Sequence, residues 1–245
     1  MRTVRLRRGR IAFTTVVLLG FPAVGTADPI VIPRVTTTVE GNSNNGAPFD
    51  ISGPFSMEYQ QVYAASEFGT SALRISGMAF RPDAETGRAF AATLPSVSIF
   101  LSTTAAPADG LNGVLSANVG SDNTLVRSGA LSLASNFTGP PDGPKDFDIV
   151  IPFSTPFFYD PTRGNLLLDL FTAGDSGTIP FDAVFAIDGV SRAFDTPFSR
   201  APALDTLGLV TQFAATPVPE PATLTLLGVG LAGIGMRRWR RTRYG

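Results

Sequence analysis

Short runs of alternating apolar and polar residues, cut at intervals by Gly, Pro, Asn, Asp and Ser, fill the chain between Asp28 and Pro217. The alternation is clearest at Val97, Ile99 and Leu101, at Phe147, Ile149, Ile151 and Phe153, and at Leu166, Leu168 and Leu170. A period of two puts successive side chains on opposite faces of a strand. The pattern predicts strands over residues 30–40, 72–80, 97–102, 125–133, 147–153, 165–171, 181–187 and 207–213, with residues 57–68 as a short helix or a further strand. No apolar stripe of helical period continues for a dozen residues in this region, so crossover helices are not expected. The expected fold is all-β, a two-sheet antiparallel sandwich of jelly-roll type over residues 28–213, with residues 214–217 as a linker. Asn42-Ser43-Asn44-Asn45-Gly46 and Pro140-Pro141-Asp142-Gly143-Pro144 read as turns.

Both ends break this pattern. An Arg-rich stretch to Arg10, the apolar run from Ile11 to Val24 and the small residues Val24-Gly25-Thr26-Ala27 make residues 1–27 a signal helix, cut between Ala27 and Asp28. The apolar run is shorter than the roughly 20 residues that span a bilayer, which favours a cleaved signal over a permanent anchor. At the other end Val218-Pro219-Glu220-Pro221 precedes an uncharged run from Ala222 to Met236 and then Arg237-Arg238-Trp239-Arg240-Arg241-Thr242-Arg243. The uncharged run predicts a short transmembrane helix, aided by snorkelling arginines and by Trp239 at the interface. Arg237, Arg238, Arg240 and Arg241 act as the stop-transfer cluster on the cytoplasmic side.

The formal net charge of −1 conceals a segregation, because ten of the 19 basic residues lie in these two ends. Between the two Arg clusters, residues 11–236 keep nine basic residues against all 20 acidic ones, a net of −11. An acidic surface with scattered arginines excludes nucleic acid as a partner. The absence of Cys and His removes disulfides, thiolate nucleophiles, His-ligated zinc and the ordinary Ser-His-Asp triad.

The order Pro219-Glu220-Pro221, Gly-rich apolar run, Arg cluster resembles the PEP-CTERM sorting signal of bacterial exported proteins, over residues 218–245. The resemblance implies processing by an exosortase with Pro219, Glu220 and Pro221 as the recognised residues, in a Gram-negative producer of extracellular polysaccharide. It further implies export through signal peptidase and the Sec machinery, transient residence in the inner membrane, and a final place at the cell surface or outside it. It carries no activity for the exported domain.

Within that domain, carboxylates are the only plentiful catalytic groups. Glu58 with Glu67 and Asp146 with Asp148 are the nominal pairs for glycosidase-like chemistry, and Lys145 is the one lysine available to a Ser-Lys arrangement. An outward polar strand face accounts for Asp146 and Asp148 without catalysis, and no catalytic residue and no metal ligand set is assigned. Calcium is the cofactor that loop aspartates would suit, at Asp109, Asp122, Asp142, Asp160 and Asp175, though turn capping explains each. Polysaccharide binding would draw on Tyr59, Tyr63 and Tyr159 for stacking, and Asn136-Phe137-Thr138 fits a glycosylation sequon. The sequence therefore points to an exported structural or adhesive protein without catalysis. The alternative is a carbohydrate- or calcium-binding module, and the third reading a carboxylate-based glycan-acting enzyme.

Overall fold

The computed structural model describes residues 29–218, apart from 51–54, 175–176 and 199, together with Gly230. Thirteen strands are distinguished among these residues: β1 (Ile30–Ile32), β2 (Ser43–Asn45), β3 (Ser56–Tyr63), β4 (Leu73–Phe80), β5 (Phe90–Thr104), β6 (Thr124–Ser135), β7 (Ile149–Tyr159), β8 (Asn165–Ala173), β9 (Phe181–Phe185), β10 (Val190–Asp195), β11 (Ala203–Asp205), β12 (Leu207–Leu209) and β13 (Thr211–Pro217). They form antiparallel sheets of order β1-β13-β4-β7, β11-β10-β3-β8-β5-β6 and β12-β9-β2. The only other regular elements described are short 3₁₀ turns, such as Arg34–Thr37 and Ala65–Phe68.

The pairing is nested. β5 pairs with β6, β4 with β7, β3 with β8 and β1 with β13, and successive pairs alternate between the six-stranded and the four-stranded sheet. One hydrophobic cluster draws Ile75, Met78, Ile151 and Phe213 from the four-stranded sheet, Val97, Ile99, Leu101, Leu168 and Leu170 from the six-stranded, and Phe181 and Leu209 from the third. Phe49, Phe80 and Phe181 meet within it at ring separations of 5.4 to 5.7 Å. Alternation drives this arrangement, since each inward row is the apolar half of a period-2 run.

Prolines set the irregularities. Pro95 lacks a donor, and the β5–β6 register shifts between Leu94 and Val97 around it. Pro152 and Pro156 lie in β7, an edge strand of its sheet, where a missing N–H costs least. Pro33 stops β1 after Ile32, so the expected strand over residues 30–40 is instead three residues of strand followed by the 3₁₀ turn.

Two further expectations change. The expected strand 207–213 divides at Val210: β12 pairs with β9, and β13 crosses to lie between β1 and β4. The expected linker 214–217 is the second half of β13, with Ala215 buried against the core and Pro217 still in register with Leu73. Small residues without charge gave that segment the look of a spacer, yet Ala215 belongs to the buried core. Residues 57–68 resolve as strand β3 and then a 3₁₀ turn. Among the described residues no helix is long and apolar enough to cross a membrane, and the signal and membrane segments expected at 1–27 and 222–236 lie outside them, Gly230 excepted.

Candidate functional site

The outer face of the six-stranded sheet is covered over half its length. β3 and β8 are buried on both faces from Tyr59 to Tyr63 and from Leu166 to Leu170, because the segment between β5 and β6 folds over them and packs Leu111 and Leu115 on Val62, Leu167 and Ala193. Buried amides hold that cover: Gln60 Nε2 donates to the Leu115 carbonyl at 3.1 Å, and Asn118 Nδ2 donates to Gln60 Oε1 at 2.9 Å. Asn118 Oδ1 in turn accepts from the Asn112 N–H at 2.8 Å.

Beyond the cover the same face opens into a groove of about 350 Å³, lined by Ser56 and Glu58 of β3, Ser96 and Ser98 of β5, Phe171 of β8, and Asp195 at the end of β10 with Thr196 and Pro197 after it. Registers place the side chains: Glu58 faces Asp195 on one side and Phe171 on the other, and Phe171 faces Ser98. Phe171 is 39% exposed and meets Phe100 edge-on at 6.0 Å. Gly174 ends this wall with φ of +97°, where a Cβ would collide with Pro95.

Asp169, two residues before Phe171 on β8, lies on the same face where cover gives way to groove. It is 4% exposed, and its Oδ1 has no hydrogen-bond partner. Desolvation pushes its carboxyl up to about 7, with the charge of Glu58 adding and a Gln60 contact opposing. Burial and the facing Asp195 raise Glu58 as well.

A second cluster joins the third sheet to the loops. Arg81 and Asp182, both almost fully buried, form an ion pair at 2.6 Å, and the guanidinium also donates to the Val39 carbonyl and lies over the Phe147 ring. Asp182 accepts from the Gly41 N–H, Asp83 from the Thr86 N–H, and Glu40 from the Ala84 N–H. Carboxylate oxygens of Glu40, Asp83 and Asp182 lie within 4.8 Å of one another. Burial raises Asp182 to about 6, Arg81 pulls the other way, and Glu40 adds to the rise.

The residues singled out from sequence fall differently. Glu58 is the third residue of β3 and Glu67 sits past its end, so most of the strand separates the pair, and Glu67 instead accepts from the Arg34 N–H. Asp146 and Asp148 precede β7 rather than alternate along it, and Asp148 caps the Asn136 N–H. Lys145 donates to the Pro140 carbonyl at 2.6 Å and lies over the Phe137 ring. Asp160 accepts from the Thr162 N–H two residues on, which is turn capping, whereas Asp109 and Asp122 accept from the N–H groups of Gly189 and Thr103 in distant segments and tie loops together. Tyr59, Tyr63 and Tyr159 are fully buried, so none is a stacking platform; desolvation raises all three hydroxyls. Phe171 is the exposed aromatic at the groove, and the inward row Leu166, Leu168 and Leu170 implied an outward row of Leu167, Asp169 and Phe171. Asp28, Asp175, Ala27, Pro219, Glu220, Pro221, Arg237, Arg238, Arg240 and Arg241 lie outside the described residues.

These features describe an all-β antiparallel domain whose last strand runs directly into a proline-bounded acidic motif. The tail has its own identity: residues 217–241 match the model of the PEP-CTERM protein-sorting motif, which marks the chain as an exported protein sorted by the exosortase system. That signal assigns it to the cell surface or the extracellular space. No curated protein and no solved structure matches the chain.

Proposed function

We propose that the exported domain is a non-catalytic structural or adhesive module of jelly-roll sandwich form, presented outside the inner membrane and sorted by removal of its tail. The nested strand pairing, alternating between two sheets that share one core, supports the jelly-roll reading. The dispersal of the nominal acid pairs and the engagement of Lys145 favour binding over turnover.

The single observation that carries the sorting account is the continuity of sheet and signal. β13 ends at Pro217, the motif match begins there, and the Val218 N–H still donates to the Ala72 carbonyl at 2.8 Å. Pro219 and Pro221 lack a backbone donor, and proline disfavours the helical state of the residue before it. The exosortase signal therefore follows the last described strand directly in sequence, with the apolar run holding the domain at the inner membrane until cleavage. Upstream, signal peptidase after Sec export would free Asp28.

Glu220→Gln tests this in the native host. The variant accumulates as an unprocessed, membrane-retained chain with an unchanged melting temperature of the β domain. Normal maturation of Glu220→Gln would remove the motif from the account.

Calcium is the second reading, supported by the Glu40, Asp83 and Asp182 group. Arg81 already neutralises part of that group, so calcium has to compete with a buried guanidinium. Added Ca²⁺ is expected to leave the melting temperature unchanged; a rise abolished by Asp83→Asn would establish the cation site instead.

A further inference from the structure

The groove on the six-stranded sheet holds charge of one sign. Asp195 and Glu58 line it from adjacent strands, Asp169 lies buried on the next strand of the same face, and β5 contributes only Ser96, Ser98 and Phe100 there. Arg192, the basic residue of β10, is held by Asp205 through two hydrogen bonds of 2.8 and 2.9 Å. Register partners on one face have Cβ atoms about 4.5–5.5 Å apart, so Glu58 and Asp195 repel. Asp169 adds a carboxylate oxygen enclosed without a donor, a state that folded proteins rarely leave unanswered.

The remaining lining says what kind of donor fits. Phe171 offers a half-open ring face, and Ser56 and Ser98 offer hydroxyls beside it. A bare metal ion does not match, since the carboxylate group of the described residues whose oxygens converge within 4.8 Å is Glu40, Asp83 and Asp182, away from this groove. A uronate or sulfated chain is repelled by the Glu58 and Asp195 carboxylates. A neutral sugar stacks on the ring but leaves the excess charge unpaired. A sugar carrying an ammonium group supplies the apolar face, the hydroxyl partners and the cation together.

We propose that this groove binds a cationic glycan, a chain of hexosamine residues with free amino groups, one ring lying on Phe171 and its ammonium between Glu58 and Asp195. The proposal gives the adhesive reading its ligand and rests on that reading. A volume of about 350 Å³ suits a short stretch of such a chain.

The test is calorimetric titration of the full chain in detergent near neutral pH with a β-1,4-linked glucosamine hexamer. Its fully N-acetylated counterpart, an oligogalacturonate and spermine serve as comparisons. The hexamer should bind, the N-acetylated form about tenfold or more weaker, and the oligogalacturonate not at all. Glu58→Gln, Asp195→Asn and Phe171→Ala should each weaken the hexamer about tenfold or more, with Glu85→Gln unchanged. Glu58→Gln removes a repulsion, so its folding is not at risk. Absence of hexamer binding, equal affinity for spermine, or full binding by Glu58→Gln and Phe171→Ala would overturn the proposal. Normal export and tail removal with no hexamer binding defeats the groove alone, whereas a retained tail defeats the sorting reading alone.

Discussion

At Asp169 the fold and the groove make opposite demands. A carboxyl raised to about 7 in the folded chain titrates near 3.9 when unfolded, so between those values the folded state holds the extra proton. Stability then falls as pH rises through that window, and the loss is complete above about 7. Asp182 and Asp188, each raised to about 6 chiefly by desolvation, act in the same sense. Asp160, lowered by its Thr162 hydrogen bonds, acts in the opposite sense and only in stronger acid. The melting temperature should therefore be higher near pH 5 than near pH 8. Asp169→Asn should flatten the profile and stabilise the neutral-pH protein by roughly 1–3 kcal/mol; a profile that rises from pH 5 to pH 8, or an Asp169→Asn variant that is less stable at pH 8, would contradict the assignment. Sequence gave no access to this residue's state. Its outward position was implied by Leu168 and Leu170, but the cover that buries it comes from residues some sixty positions earlier, through Leu111 and Leu115.

At the scale of elements, strands with a clear period-2 run were legible as strands, but not always their bounds: β5 begins at Phe90 rather than 97, and β7 runs to Tyr159 rather than 153. β4, β6, β8 and β9 begin within a residue of their expected starts because period-2 runs bounded by turn residues leave little choice. β2, β10 and β11 have three to six residues, too few for a period to show, and owe their strand state to partners distant in sequence. Arg81 illustrates the same limit: nothing local marks an arginine after β4 as buried, and its place depends on Asp182 some hundred residues on. Arg81→Leu leaves buried carboxylates without their counter-charge, and a loss of about 3–5 kcal/mol is expected. Adding Asp182→Leu should restore part of it. Denaturant titration of the single and double variants checks both, and a double variant no better than the single would remove the pair as the reason for burial.

For the whole molecule, the account joins an address to a fold. The address was written in a contiguous stretch, Pro219-Glu220-Pro221 through the Arg cluster, and local order is what sequence conveys best. The binding face was not contiguous, since Glu58, Phe171 and Asp195 come together only when β3, β8 and β10 pair. The supposed spacer before the signal proved to be sheet, so β13 runs up to the first residue of the matched motif. Intact mass and fractionation of the protein from its native host test the central claim most directly. The account predicts a mature species that begins at Asp28, lacks the apolar run and Arg cluster after Pro221, and leaves the inner-membrane fraction. A species that keeps the whole tail and stays in the inner membrane would contradict it.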